Sequence, residues 1–369
     1  MKVASRQAQH MDVLSRIMVA TYCSETKLVA GLKHREDDLR YVAGLSTEHL
    51  NDFLELADEN HVVVRALSAL QDAAVSSREP RIEEWCGSSL LAEHARIHYG
   101  IGVLHAICSG LESRGCRVCV IKSLDHWPDL GSDFDLYTTA NEEHVEKAML
   151  EEFNARPVHR SWGDRLANKW NYNVPGLPEL IEMHVQFLGQ TGEHAGLAAR
   201  VIARRVLETV DASEFHVPAP EERIVISALQ RVYRHFYFRL CDMIDMAQLC
   251  GTGTVDFGEL RYAAALAGIW PGVATFLALI QGYVQSYGGE FALPPEIEAS
   301  AYSKNGALEF KNSFLRVSKV TAAGLYGFQL LQAGRHRDLR ALTRLPLLPP
   351  LAISAAVAYR LTGNDKGIW

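Results

Sequence analysis

The sequence predicts an α+β protein, a β-sheet core embedded between helical N- and C-terminal regions. Three patterns carry this expectation. Up to about residue 75, apolar residues such as Phe53, Leu54, Leu56, Val62, Val63 and Leu67 recur at helical rather than alternating spacing. From Val118 the period shortens into two runs rich in β-branched and aromatic residues, 118–121 and 134–138. The stretch 180–187 then alternates strictly, with Glu182, His184 and Gln186 on one face and Ile181, Met183, Val185 and Phe187 on the other. The organisation expected is a helical region over 1–87, a core over 88–215 and a second helical region over 216–369.

The polar run 76–80 reads as the loop that closes the first helical region. Ser88 and Ser89 are then expected to cap a long helix through Leu90, Ile97, Ile101 and Leu104 towards Leu111, ended by Gly115. A short strand follows at 118–121, then a connection over 124–130 and a second strand at 134–138. Asn141 opens a helix through Val145, Ala148 and Met149. The alternating stretch 180–187 is expected to be a half-buried strand with a polar, site-facing side. Beyond Pro218 and Pro220, long apolar-periodic segments at 224–249 and 262–287 read as helices. There is no internal repeat and no low-complexity segment.

Composition narrows the function classes. A net charge of −7 over 369 residues argues against broad nonspecific binding to nucleic acid. The N-terminal stretch, with Lys2, Arg6, His10, Asp12 and Arg16, lacks the uninterrupted apolar run of a signal peptide. Seven scattered cysteines do not resemble a disulfide framework, so a reducing, cytoplasmic location is expected. Cys116 and Cys119 have C-x-x-C spacing, but Cys119 runs directly into Val120 and Ile121, which favours a buried strand residue over a zinc or redox ligand.

The chemistry is concentrated at Asp133 and Asp135. On a strand they point to the same side, about 6–7 Å apart, and repel one another unless a cation lies between them. Oxygen-only sites of this kind suit Mg²⁺, which keeps several waters and accepts phosphate oxygens. Glu182, on the polar face of the later strand, is the candidate third carboxylate of a site for phosphoryl or nucleotidyl transfer. Ser123 and Ser132 stand where a turn would cradle phosphate oxygens, and Lys122 is placed to supply a point charge. His184 shares the face of Glu182, to touch substrate or to hydrogen-bond a ligand carboxylate. Lys169, just before that strand, is weighed as a cleft residue against a solvent-facing one. Arg231, Arg234, His235 and Arg239 form a basic stripe that either meets a polyanion or pairs with Glu221, Glu222, Asp242 and Asp245. Near the C-terminus, Arg335, Arg337, Arg340 and Arg344 precede an apolar, proline-broken stretch. The segment 335–360 is a candidate for peripheral membrane or protein contact, with packing onto the helical domain as the plainer reading.

The run Val120-Ile121-Lys122-Ser123, followed by Gly131-Ser132-Asp133-Phe134-Asp135-Leu136, resembles the polymerase-beta-type nucleotidyltransferase signature. More closely, the chain is similar to a bacterial family of uncharacterised nucleotidyltransferases, whose Leu-Lys-Gly, Asp-x-Asp-Leu and Asp-x-His elements correspond to 121–123, 133–136 and Glu182-Met183-His184. The resemblance spans about residues 45–250. It implies a nucleotidyltransferase-type mixed β-sheet core with flanking helices. Asp133 and Asp135 are implied as metal ligands and Glu182 as the third carboxylate, around Mg²⁺ or, in its place, Mn²⁺. Lys122, Ser123, Ser132, Lys169 and His184 are the candidate nucleotide-binding residues. Two departures stand out: Ser123 occupies a position usually held by glycine, which restricts backbone approach to the phosphates, and Glu182 replaces the commoner aspartate.

The expected reaction is transfer of a nucleoside monophosphate from an NTP, such as ATP, to a hydroxyl or phosphate acceptor, with release of pyrophosphate. The acceptor is a small molecule, a saccharide or a macromolecule. Two rivals are a noncatalytic binding module that keeps the fold and a toxin-type nucleotidyltransferase acting on tRNA or protein. The acidic balance weighs against tRNA.

Overall fold

The computed structural model describes residues 2–23, 28–302 and 308–362. Five helices come first: α1 (Lys2–Cys23), α2 (Leu28–Ala43), α3 (Thr47–Glu59), α4 (Val63–Ser77) and α5 (Pro80–Ser113). Strands β1 (Val118–Val120) and β2 (Asp133–Thr138), helix α6 (Glu142–Phe153), β3 (Arg156–Pro157), α7 (Trp162–Ala167), β4 (Lys169–Asn173) and β5 (Leu180–Val185) make up the core. Then come α8 (Ala195–Ala203), the hairpin of β6 (Val206–Val210) and β7 (Ser213–Val217), α9 (Pro220–Ala228), β8 (Tyr237–Phe238) and α10 (Leu240–Gly251). The remainder is α11 (Phe257–Leu266), α12 (Trp270–Ser286), α13 (Pro295–Ser300), the pair β9 (Glu309–Lys311) and β10 (Phe314–Arg316), α14 (Lys319–Arg335), α15 (Leu339–Arg344) and α16 (Leu348–Thr362). The α+β expectation holds: a small mixed sheet is flanked by helices on both sides in sequence.

The sheet has the order β1-β2-β5-β4-β3. Only β2 and β5 run parallel; the other neighbours are antiparallel. The parallel register sets Asp135 opposite Glu182 and Tyr137 opposite His184. Asp133, Asp135, Glu182 and His184 therefore share one face of the sheet. The other face carries Phe134, Ile181 and Met183, all fully buried in one apolar core with Ile97, Ile101 and Leu104 of α5. Gly100 lets α5 lie close under the sheet, since a Cβ there would stand 3.1 Å from the Phe134 ring.

Three expected boundaries differ. Helix α5 begins at Pro80 instead of Ser88, because proline at the first helical position has its φ preset and loses no helical hydrogen bond there. Ser88 lies inside the helix and donates to the Trp85 carbonyl. The expected division at 87/88 thus falls within α5. The strand expected over 180–187 stops at Val185, where Gln186 takes a positive φ of 67°. Both its faces are buried, against the half-buried expectation, because its polar side chains find ion-pair partners inside the protein. The expected helix over 224–249 is broken: α9 runs into a π-helical turn, Leu229–His235, and Phe236 turns left-handed (φ 57°) before β8, which pairs with β10. That interruption turns the basic stripe towards the sheet. Cys116 and Cys119 are buried and unbridged, in line with the strand reading.

Near the C-terminus, Arg340 donates to the Gly192 carbonyl and lies 3.4 Å over the Phe187 ring, while Arg344 donates to the carbonyls of Leu166 and Thr191. Two of the four C-terminal arginines are thus packed onto the core. Ile353, Val357 and Leu361 of α16 are exposed. The side chains of residues 355, 356 and 359 lie outside the described residues. Among the described residues, no helix is long and apolar enough to cross a membrane.

Candidate active site

A cleft of about 190 Å³ opens at the C-terminal side of β1 and the start of β2. Its floor is acidic: Asp133, Asp135 and Glu182 all line it. The turn after β1 supplies the first wall. Lys122 sits at φ 66°, ψ −51°, and the Ser123 amide donates back to the Ile121 carbonyl at 2.7 Å, which closes a tight three-residue turn. A lysine is held in this sparsely populated conformation only because its surroundings over-determine it. The turn delivers Lys122 Nζ to within 2.5 Å of Asp135 Oδ1.

Ser123 is buried and serves the same turn. Its hydroxyl accepts from the Asp135 amide (2.8 Å) and donates to the Asp133 carbonyl (3.3 Å). The hydroxyl thus clips the turn to β2. Ser132 is exposed on the cleft rim. Arg96 of α5 steadies the segment before it by donating to the carbonyls of Leu130 (3.1 Å) and Gly131 (3.3 Å).

Behind the floor lies a ladder of charges. His184 Nε2 is 3.1 Å from Asp135 Oδ1 and 2.9 Å from Glu182 Oε1. Lys169 Nζ is 2.8 Å from Glu182 Oε2 and 3.0 Å from Asp164 Oδ1. Lys169 is buried, which corrects the solvent-facing alternative: β4 pairs it with His184 and points it into the sheet's polar face. Neither Lys169 nor His184 lines the cleft; both act on the carboxylates from behind. Burial opposes the Glu182 charge, but Lys169, then His184 and Lys122, outweigh it and hold the carboxyl well below the usual range. Asp133 moves the other way. Burial, followed by the charges of Asp135 and Glu182, pushes its pKa up to about 6.

These partners correct the expectation that the carboxylates repel one another unless a cation lies between them. Lys122, Lys169 and His184 already compensate Asp135 and Glu182, whereas at Asp133 burial and the neighbouring carboxylates outweigh the charges of Lys122 and Arg239. Asp135, Glu182 and His184 each offer a ligand atom within 4.8 Å of the others, a grouping to which Asp133 does not belong. The hard oxygens of Asp133 and Asp135, both at the cleft surface, are of the kind that suits Mg²⁺.

The opposite wall is basic. Arg231, Arg234, His235 and Arg239 line it, from the π-helical turn and the residues after it. Among the described residues, the ion pairing expected for the stripe is found at Arg231 alone, whose Nε is 2.7 Å from Asp242. Glu221 and Glu222 pair instead with Arg200 and Arg204, and Asp245 with Arg65 and His126. Arg231 is 2% exposed, and its Nη1 has no hydrogen-bond partner among the described residues; nor does Arg239 Nε. Burial, followed by the neighbouring arginines, pushes His235 well below its ordinary pKa and keeps it neutral. His61, His126, Gly131, Gln230 and Tyr237 complete the lining. Spacing along the chain offered no sign of His61, which reaches the cleft from the turn between α3 and α4, or of Arg96, which holds the segment before β2 from α5.

No family model matches the chain, and no curated protein does. The resemblance to the bacterial family therefore rests on the motifs themselves. Among solved structures, the chain is similar to an antigenic nucleotidyltransferase-like protein from Paracoccidioides brasiliensis, at 15% identity and a TM-score of 0.34 over 55% of this chain and 96% of that one.

Proposed function

We propose that the cleft binds a nucleoside triphosphate with Mg²⁺ and transfers its nucleoside monophosphate group to a hydroxyl or phosphate acceptor. The observation that carries this reading is the register of β2 and β5. It sets Asp135 beside Glu182, with Asp133 on the same face, in a cleft also lined by Arg231, Arg234 and Arg239. Asp133 and Asp135 would hold the ion, which offsets charge on the phosphates as the P–O bond to pyrophosphate breaks. Lys122 and the arginines bind phosphate oxygens, and the orphaned Arg231 Nη1 is a donor awaiting such an acceptor. The acceptor oxygen bonds to the α-phosphorus, pyrophosphate departs, and the acceptor's proton passes to a base. Glu182 is a poor candidate for that base, since a carboxyl held so far below its ordinary range accepts protons weakly. Its charge is better suited to holding Lys169 and His184 behind the floor.

The test is incubation with Mg²⁺, or Mn²⁺, and each α-labelled NTP, reading pyrophosphate release and label on an acceptor mixture. Asp135→Asn is expected to abolish turnover; turnover that survives it removes the proposed site. One observation favours a second reading, a noncatalytic nucleotide-binding module: the acidic floor is already matched by Lys122, Lys169 and His184. Nucleotide-dependent thermal stabilisation without turnover would select it.

A further inference from the structure

Beside the acidic floor, and sharing no residue with it, lies a second cluster of ligand-type side chains. His61 follows α3 in the turn before α4, His126 ends the 3₁₀ turn after β1, and Cys241 sits in the first turn of α10. All three are buried, and one ligand atom from each lies within 4.8 Å of the others. His126 Nε2 is 3.8 Å from Cys241 Sγ, and the two imidazoles meet edge to face with centroids 5.4 Å apart. Gly131 makes room for this approach: a Cβ there would come within 2.7 Å of His61 Cε1.

Two independent features suit this cluster to a bound cation. His126 Nδ1 bonds Asp245 Oδ2 at 2.6 Å, and the other oxygen of Asp245 is held by Arg65 at 2.5 Å. This carboxylate accepts from Nδ1 and orients the ring so that Nε2 points at Cys241. Burial opposes the imidazolium charge, but Cys241 and Asp245 outweigh it and raise the imidazole well above its ordinary pKa, so an ion bound there would displace the Nε2 proton. Metal-bound histidines are held in this way. His61 Nδ1, in turn, is buried with no hydrogen-bond partner among the described residues. A buried polar atom left unpaired is costly, and a bound cation would satisfy it.

We propose that His61, His126 and Cys241 bind one Zn²⁺ ion, with water or a substrate oxygen in the fourth position on the cleft side. One thiolate and two imidazoles suit zinc far better than Mg²⁺, which prefers oxygen. Tetrahedral Zn–N and Zn–S bonds of about 2.0–2.3 Å put neighbouring ligand atoms about 3.5 Å apart, close to the Nε2···Sγ separation present. On binding, the Cys241 S–H and His126 Nε2–H bonds break, both protons leave to solvent, and the freed sulfur and nitrogen pairs form the bonds to zinc. Three protein ligands with an open fourth position are the pattern of a reactive rather than a purely structural zinc. His61 and His126 line the cleft, so that position faces the substrate space. The ion would also tie together the N-terminal helices, the sheet and the C-terminal helices.

The test uses the full chain, stripped with chelator and titrated with Zn²⁺ or Co²⁺ alone. One equivalent of Zn²⁺ is expected to bind, to raise the melting temperature and to resist excess Mg²⁺. Co²⁺ should give a thiolate charge-transfer absorption that Cys241→Ser abolishes and Cys119→Ser leaves intact. Asp245→Asn should weaken Zn²⁺ binding by about 10–100-fold. The absence of stoichiometric binding to the wild-type protein, displacement of Zn²⁺ by Mg²⁺, or survival of the absorption in Cys241→Ser would overturn the proposal. Should Cys241→Ser not fold, His61→Gln serves in its place, and wild-type zinc affinity in that variant is equally contrary.

Discussion

Replacing Asp133 by Asn and replacing Asp135 by Asn should change stability in opposite directions, although the two carboxylates sit two residues apart on one strand. Asp133 is the acid that burial and the charges of Asp135 and Glu182 push up to about 6. Its ionised form is therefore disfavoured in the folded protein. Between about pH 4 and 6 the folded state holds a proton that the unfolded state has released, so stability falls as pH rises through that window. Moving an aspartate from its ordinary value to about 6 corresponds to about 3 kcal/mol, at about 1.4 kcal/mol per tenfold change. Asp133→Asn removes the ionisation and with it this loss. Urea unfolding in chelator at pH 4, 5, 6 and 7.5 should show the variant more stable than wild type by up to about 3 kcal/mol at pH 7.5, with the difference closing by pH 4. Added Mg²⁺ should narrow the gap at pH 7.5, because the ion stabilises the wild-type carboxylate. A variant less stable than wild type at pH 7.5, or a difference independent of pH, would refute the electrostatic account of the floor.

Asp135→Asn should instead destabilise the metal-free protein, by about 3 kcal/mol or more in the same unfolding assay, because Lys122 Nζ and His184 Nε2 lose their shared carboxylate in a buried setting. Lys169→Met should cost about 3–5 kcal/mol at neutral pH, by stranding Glu182 and Asp164. Because the Glu182 pKa is depressed, the stability it contributes is present above the ordinary carboxylate range and lost as pH falls, so this deficit should shrink in acid. Ser123→Gly would restore the residue usual in the resembling family, yet should cost about 1–3 kcal/mol, because the Asp135 amide loses its hydroxyl acceptor. A thermal melt of that variant at or above wild type would show that the serine is not the clip described.

Much of the core was legible because it is local. The shift from helical to strand period near Val118, and the alternation through Glu182 and His184, are one-dimensional patterns that follow from the geometry of helix and strand. Helix boundaries were less legible. Proline preset the start of α5 eight residues before the serines that look like its cap, and the π-helical turn of Leu229–His235 has no periodic signature that separates it from a continuous helix.

The sequence by itself determined that Asp133 and Asp135 share a side of one strand and that Glu182 and His184 share a side of another. Strand pleating demands this wherever those residues extend. Only the tertiary structure decided that β2 and β5 lie parallel and in register, that Lys122, Lys169 and His184 balance the carboxylates, and that Arg231, Arg234 and Arg239 face them. It also decided the company of His61, His126 and Cys241, which come from three separate stretches of chain. Charges act through space and their worth depends on burial, so neither the pairing nor the pKa shifts of this cleft could be read along the chain.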